Sequence, residues 1–331
     1  MADLPTSELR RLFMRSALAL GGTLTGLAAS ANGTGRVVFG LYPDNASAVF
    51  SALLNALKGN YAPDLGTRVT YLPGNSGALA FEAIHRATAD GSNVLIAPST
   101  YFTLVPLLRK TSAFDALADF TPVVGLSELT VAFAVGPMVP MAVTSLSDYL
   151  VWIKENPASS NYGVLGLGGF SHFSGLSLSR MAEVPLKAVA YKSLISMSDD
   201  LGFGDLPAAF ITVTTAGELP TDGRVRVLAV ASQERWPTLP NVPTMRELKV
   251  SDVAVTLSYG LSVSARTPKG KAADLREAVL NACKQPAVRT AIVQSHMRPM
   301  TAQADSYADA LAQERMLWTD VLKRYRFTID S

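Results

Sequence analysis

The sequence is poor in the residues that carry most recognisable chemistry. Its 331 residues include one cysteine, Cys283. A single thiol excludes an internal disulfide framework and a cysteine-based metal site, and within a helical pattern it reads as a small core residue. The three histidines, His85, His172 and His296, lie too far apart for the spacing of a metal site. His85 is expected exposed or half-buried on a helix, and His296 at the surface. Charged residues make up 17% of the chain, the formal net charge is +2, and no Lys/Arg block or basic-aromatic pattern occurs. Nucleic acid is therefore not an expected partner. No paired-carboxylate acid–base arrangement stands out; Asp200, Asp205, Glu247 and Glu314 read as solvated helix or loop charges. No metal or cofactor is expected.

Apolar residues are plentiful, at 48%. That content and length suit a buried core divided between two lobes. The N-terminus reads as an export signal. Arg10, Arg11 and Arg15 precede an apolar, small-residue stretch at 16–29, and Ala29-Ser30-Ala31 fits a cleavage site. Arg10-Arg11 followed by Leu12-Phe13-Met14 resembles a twin-arginine signal, with an ordinary secretory signal as the alternative. The run is too short and glycine-rich to span a bilayer comfortably, and no later stretch offers a span. Cleavage after Ala31 and a periplasmic location are expected.

Beyond residue 35, short β-rich runs alternate with helical runs. Strands are expected at 36–41, 67–72, 93–97, 161–165 and 186–190, and later in AAFITV, VRVLAVA and SYGLSVS. Phe50, Leu53, Leu54 and Leu57 share one helical face, as do Tyr307, Leu311, Trp318, Val321, Leu322 and Tyr325. Alternating β and α units argue for mixed sheets with helices on their faces. The expected organisation is lobe 1 from 36–130 plus 248–331, lobe 2 from 131–247, and hinge strands near 128–134 and 255–262. RWPTLPNVPT at 235–244 holds three prolines and reads as a rigid connector.

In open α/β sheets, ligands bind outside the carboxyl ends of strands, where helix N-termini present unpaired N–H groups. Five loops stand at such ends: 42–47, 73–77, 98–100, 163–172 and 191–193. Small and hydroxylic residues dominate them, which suits a carboxylate or another compact anion; the same residues also make ordinary turns. GVLGLGGFSHFSG, at 163–175, invites two sharper readings. As a dinucleotide fingerprint it lacks the last glycine and the acidic partner about 20 residues on, and no Gly-Lys-Ser/Thr marks a P-loop. As a nucleophile elbow it also lacks its last glycine. Ser171 and His172 are neighbours at a helix start, pointing about 100° apart, so the general base has no evident supplier.

Taken together these loops resemble the Bug family, the extracytoplasmic solute receptors of tripartite tricarboxylate transporters. The similarity runs over about 36–328. It is carried by Gly-Leu-Tyr-Pro at 40–43, Leu-Pro-Gly-Asn-Ser-Gly at 72–77, the Phe-Asp to Pro-Val segment at 114–123, Asn-Tyr-Gly through Ser-His at 161–172, Ala-Tyr-Lys-Ser at 190–193, Gly-Arg-Val-Arg-Val-Leu-Ala-Val at 223–230 and Leu-Pro-Asn-Val-Pro-Thr at 239–244. Each motif is weak alone; their shared order and spacing make the set specific.

The resemblance implies an α/β fold of the type II periplasmic binding protein (Venus flytrap) kind, each lobe a mixed sheet flanked by helices. It implies a non-enzymatic receptor that captures a small organic acid between the lobes and delivers it to the transporter's membrane components; a monomer is expected. The ligand-lining residues it implies are Tyr42, Asn45, Ala46, Ser47, Asn75, Ser76, Gly77, Ser99, Gly168, Ser171, His172, Tyr191 and Ser193. The chain departs from the family pattern at Asp44, Asn45-Ala46, Asn75-Ser76 and Ser193. Ile211 stands where some members carry an Asp that serves ligand amino groups, which disfavours an amino acid. An exported α/β hydrolase using Ser171, and a ligand-sensing subunit for a signalling partner, are the alternatives.

Overall fold

The computed structural model describes residues 35–40, 46–58, 68–72, 77–108, 115–219, 222–254, 256–300 and 306–327. The expected export signal lies outside them. The elements run β1 (Arg36–Phe39), α1 (Ala46–Leu57), β2 (Arg68–Tyr71), α2 (Ala78–His85), β3 (Asn93–Pro98), α3 (Thr100–Thr103), α4 (Val105–Leu108), β4 (Phe120–Leu129), β5 (Val131–Val135) and α5 (Leu146–Glu155). They continue with β6 (Asn161–Val164), α6 (Phe170–Met181), β7 (Lys187–Ala190), α7 (Leu194–Phe203), β8 (Ala208–Thr212), α8 (Val213–Ala216) and β9 (Arg226–Val230). The last are β10 (Leu257–Ser264), α9 (Lys269–Cys283), α10 (Pro286–Gln294), β11 (Arg298–Pro299) and α11 (Tyr307–Tyr325).

Two mixed sheets result, one ordered β11-β4-β10-β3-β1-β2 and the other β7-β6-β8-β5-β9. Within the first, β1 is parallel to β2 and β3, and within the second β6 is parallel to β7 and β8. The parallel strands are rich in Val, Ile and Ala, and β3 buries four successive residues, as strands covered on both faces do. Phe50, Leu53, Leu54 and Leu57 of α1 are all buried, so the helical stripe read from the sequence is the face that packs on the sheet. The connector at 235–244 forms no strand or helix, apart from one bridge between Val230 and Thr244. Cys283 is partly buried against the core, and burial pushes its thiol up to about 11.

The final helix joins what the sheets separate. Tyr307 and Leu311 pack with Phe81, Phe102 and Phe120 beside the first sheet. Trp318, three turns on, meets the rings of Phe170 and Phe173 on α6, 6.2 and 5.7 Å away. Beyond it, Arg324 pairs with Asp252, whose carboxylate also accepts from Ser177 and Tyr325.

A pair of glycines makes room for this helix. Gly125 on β4 and Gly260 on β10 are register partners. A Cβ on Gly260 would lie 2.2 Å from the ring of Tyr307, and one on Gly125 would lie 2.1 Å from Met300 Sδ. The facing glycines form a slot in the sheet that only a side-chain-free backbone leaves open. Gly260→Ala is expected to destabilise the protein by roughly 1–3 kcal/mol through overpacking against the fully enclosed Tyr307. Urea denaturation checks this; an unchanged midpoint would mean the slot is slack.

Candidate functional site

Strand direction determines where the site lies. β4 is antiparallel to β10, which is antiparallel to β3, so β4 ends on the edge of the first sheet where β3 also ends. Thr130 alone separates β4 from β5. β5 begins opposite the end of β8, with Val131 facing Thr212, and the Val213 N–H donates to the Thr130 carbonyl at 3.0 Å. The carboxyl edges of β1–β3 and of β6–β8 are thereby brought to one crossover. These are the edges from which ligand-binding loops spring.

On the first sheet, Tyr42, Asn45, Asn75 and Ser76 lie outside the described residues, and Ala46 and Ser47 are described only as the first backbone positions of α1. Gly77 takes a left-handed conformation, φ 83°, where α2 begins. A Cβ there would fall 2.2 Å from the Tyr101 ring, so this glycine is needed both for its φ and for the close ring. Ser99 is wholly buried at the end of β3. Its N–H donates to the Ser258 carbonyl at 2.7 Å, and its Oγ accepts from the Ser258 N–H at 3.1 Å.

Beneath Ser99 lies a residue that the sequence reading placed in solvent. Glu314 falls at helical spacing between Leu311 and Trp318, on the buried stripe of α11. Its Oε1 accepts from Thr103 Oγ1 at 2.7 Å and from Trp318 Nε1 at 3.1 Å. Burial pushes the carboxyl up, opposed by hydrogen bonds from Ser99, Thr103 and Trp318. Position on the stripe, not residue type, makes it half-buried and hydrogen-bonded rather than solvated.

On the second sheet, Gly166 and Gly168 carry φ of 80° and 77°, and Gly169 caps α6 in extended conformation. Ser171 and His172 are both buried in the first turn. His172 folds back on its own loop, where Nδ1 accepts from the Gly168 N–H at 3.0 Å. That bond makes Nδ1 the unprotonated nitrogen. The imidazole also meets the Phe327 ring edge-on at 5.3 Å, and burial lowers its pKa. The Gly168 N–H is thus used inside the loop.

The neighbouring loop is similarly self-satisfied. The Tyr191 N–H donates to the Val164 carbonyl at 2.9 Å, tying the loops after β7 and β6 together. Its hydroxyl donates to Asp200 Oδ2 at 2.7 Å, and burial, then this contact, pushes the phenol up to about 12. Ser193 caps α7, accepting from the Ser196 N–H. Gly168, His172, Tyr191 and Ser193 thus share one wall, while Gly77 and Ser99 belong to the other sheet.

Two further features went unread in the sequence. Thr212 Oγ1 lies 2.6 Å from Thr214 Oγ1 and 3.0 Å from Thr215 Oγ1, a hydroxyl cluster where β8 ends at the crossover. The rule that located the five loops points here too, since TVTT directly follows a strand. Tyr101, packed on Gly77 and near Gly40, had no signal in its own residue type. Ile211 is fully buried within β8. His296, expected at the surface, is half-buried with its ring against Gly217, and its carbonyl accepts from Trp236 Nε1 at 2.7 Å. Among the described residues no His, Cys, Asp and Glu group could hold a metal ion, and no helix is long and apolar enough to cross a membrane.

His172 generates a pH prediction. Its folded pKa lies below the ordinary 6.5, so the unfolded chain binds a proton that the folded loop refuses. Stability is complete above about 6.5 and is lost as pH falls toward the depressed folded value. His172→Asn, which keeps an acceptor near the Nδ1 position, is expected to flatten this part of the stability profile. Urea midpoints between about pH 5 and 7 measure it, and parallel profiles for both proteins would refute it.

Comparison with known proteins agrees with this geometry. The model of the tripartite tricarboxylate transporter family receptor matches residues 60–326. A protein from the tcbD-tcbE intergenic region of Pseudomonas sp. strain P51 is 26% identical over 254 residues, which is 76% of this chain and 75% of that one. Among solved structures, the periplasmic binding protein BugD superposes with a TM-score of 0.74 at 22% identity, covering 87% of this chain and 96% of BugD. The Rhodopseudomonas palustris protein MatC with bound malate gives 0.71 at 22% identity, over 87% and 99% of the two chains. Rpa4515 of R. palustris with adipate gives 0.76 at 22%, over 87% and 96%. These likenesses show the periplasmic binding protein fold, and the family match shows that the chain belongs to the tripartite tricarboxylate transporter family receptors, the group that includes the Bug proteins.

Proposed function

We propose that the protein is a periplasmic receptor that captures a small carboxylate between two lobes and delivers it to the membrane components of a tripartite transporter. The observation that carries this is the meeting of six strand ends, β1–β3 from one sheet and β6–β8 from the other, at the Thr130 crossover. Lobe 1 is 36–130 plus 248–331 and lobe 2 is 131–247. The lobes close about Thr130 and the return from β9 to β10, with the ligand bridging them. Family membership supports the transport role, and malate and adipate in the two R. palustris relatives support an acid as ligand. The loops at 42–47 and 73–77 supply side-chain hydroxyl and amide donors, with bridging waters completing the shell. Residues 1–31 direct export and are removed after Ala31.

Binding without turnover is the expected behaviour. A serine hydrolase would need a base for Ser171, and the unprotonated nitrogen of His172 is already engaged by the Gly168 N–H. Serine-directed reagents are expected to leave the protein unlabelled.

A thermal-shift screen of mono-, di- and tricarboxylates, aromatic acids and amino acids tests the receptor reading. A bound acid at about 100 times its Kd adds about 2.7 kcal/mol and must raise Tm. No shift with any acid, together with no co-purified ligand by native mass spectrometry, would refute the reading. Ser76→Trp is expected to abolish binding with the fold intact; unchanged affinity would remove that loop from the site.

A further inference from the structure

We infer that the captured acid carries an uncharged apolar body, aryl or medium-chain alkyl, which packs on Leu165, Leu167 and Ile195 of the second lobe. This rests on the receptor reading of the cleft and specifies its ligand class.

The second lobe's wall is the reason. Leu165 and Leu167 alternate with the left-handed Gly166 and Gly168, and they remain 41% and 56% exposed. A Cβ built on Gly166 would meet nothing within 4 Å, so the loop faces open space between its two leucines. Ile195, in the first turn of α7, is 74% exposed. It belongs to the adjacent loop, since β6 and β7 pair with Val164 opposite Ala190, and the Tyr191 N–H closes on the Val164 carbonyl. Three large apolar side chains therefore stand at neighbouring strand ends, where the ligand is held.

Three polar side chains of the same wall are engaged within it. His172 Nδ1 serves the Gly168 N–H, the Tyr191 hydroxyl serves Asp200, and Ser193 Oγ serves the Ser196 N–H. A ligand entering from the cleft finds side-chain hydrocarbon here, and displacing the His172 bond would leave a buried nitrogen unpaired. Lys192 is the one cation in 165–169 and 191–195. It matches one carboxylate, whereas a tricarboxylate would place further charges against leucines. The first sheet's edge contributes apolar surface too, with Leu79 47% exposed in the first turn of α2 and the Tyr101 ring lying on Gly77.

Isothermal titration of the purified protein tests this, with 3-phenylpropanoate and octanoate set against succinate and citrate. The apolar acids are expected to bind at least about tenfold more tightly, the gain from covering one or two leucine-sized groups. Leu167→Ser and Ile195→Ser are each expected to weaken 3-phenylpropanoate roughly 5–20-fold and to leave Tm nearly unchanged, because both side chains are exposed in the free protein. Succinate or citrate binding as tightly as the apolar acids would overturn the inference while preserving the receptor reading. So would unchanged 3-phenylpropanoate affinity in both variants. Absence of binding by all four acids, repeated across the wider screen, would overturn both.

Discussion

The architecture depends on a one-residue crossing between two sheets. Thr130 ends a strand parallel to β3 and starts one antiparallel to β8, and its carbonyl is held by the Val213 N–H. Had the crossing occurred at the other end of β4, the carboxyl edges of the two parallel sets would lie apart. Because it occurs here, six strand ends face one region. The return path enters β10 at Leu257, opposite Leu129, so both connections between the sheets lie beside that region.

The C-terminal helix is a third connection, and its chemistry differs along its length. Its first turn fills the slot made by Gly125 and Gly260, and its later turns pack aromatic rings against α6. Between them, Glu314 reaches the hydroxyl network under Ser99. A carboxyl withdrawn from solvent needs hydrogen-bond donors, and Thr103 and Trp318 both donate to Glu314 Oε1. The helix thus connects the packing beside both sheets to the end of β3.

The candidate site illustrates a division of labour among polar residues. On the second lobe, His172, Tyr191 and Ser193 hold their own loops in shape, each through a hydrogen bond formed without a ligand. Such bonds reduce the ordering needed when a ligand arrives. Exposed beside them are the apolar Leu165, Leu167 and Ile195, together with Lys192.

The sequence by itself determined the alternation of strands and helices, the five loops at strand ends and the family pattern, because periodicity and turn chemistry are local. The stripe of α1 and the glycine turn before α6 were legible for the same reason. The half-buried, hydrogen-bonded position of Glu314 and the packing of His296 on Gly217 were not, since acid and imidazole types say nothing about which face of a helix or which neighbouring loop meets them. Nor did the Ser-His pair of GVLGLGGFSHFSG reveal that its histidine serves the loop's own glycine. Those outcomes came only with tertiary structure. A hydrogen bond between residues four apart needs the left-handed turn that aims them, and the half-buried Glu314 carboxyl takes a donor from an element more than 200 positions away in the chain.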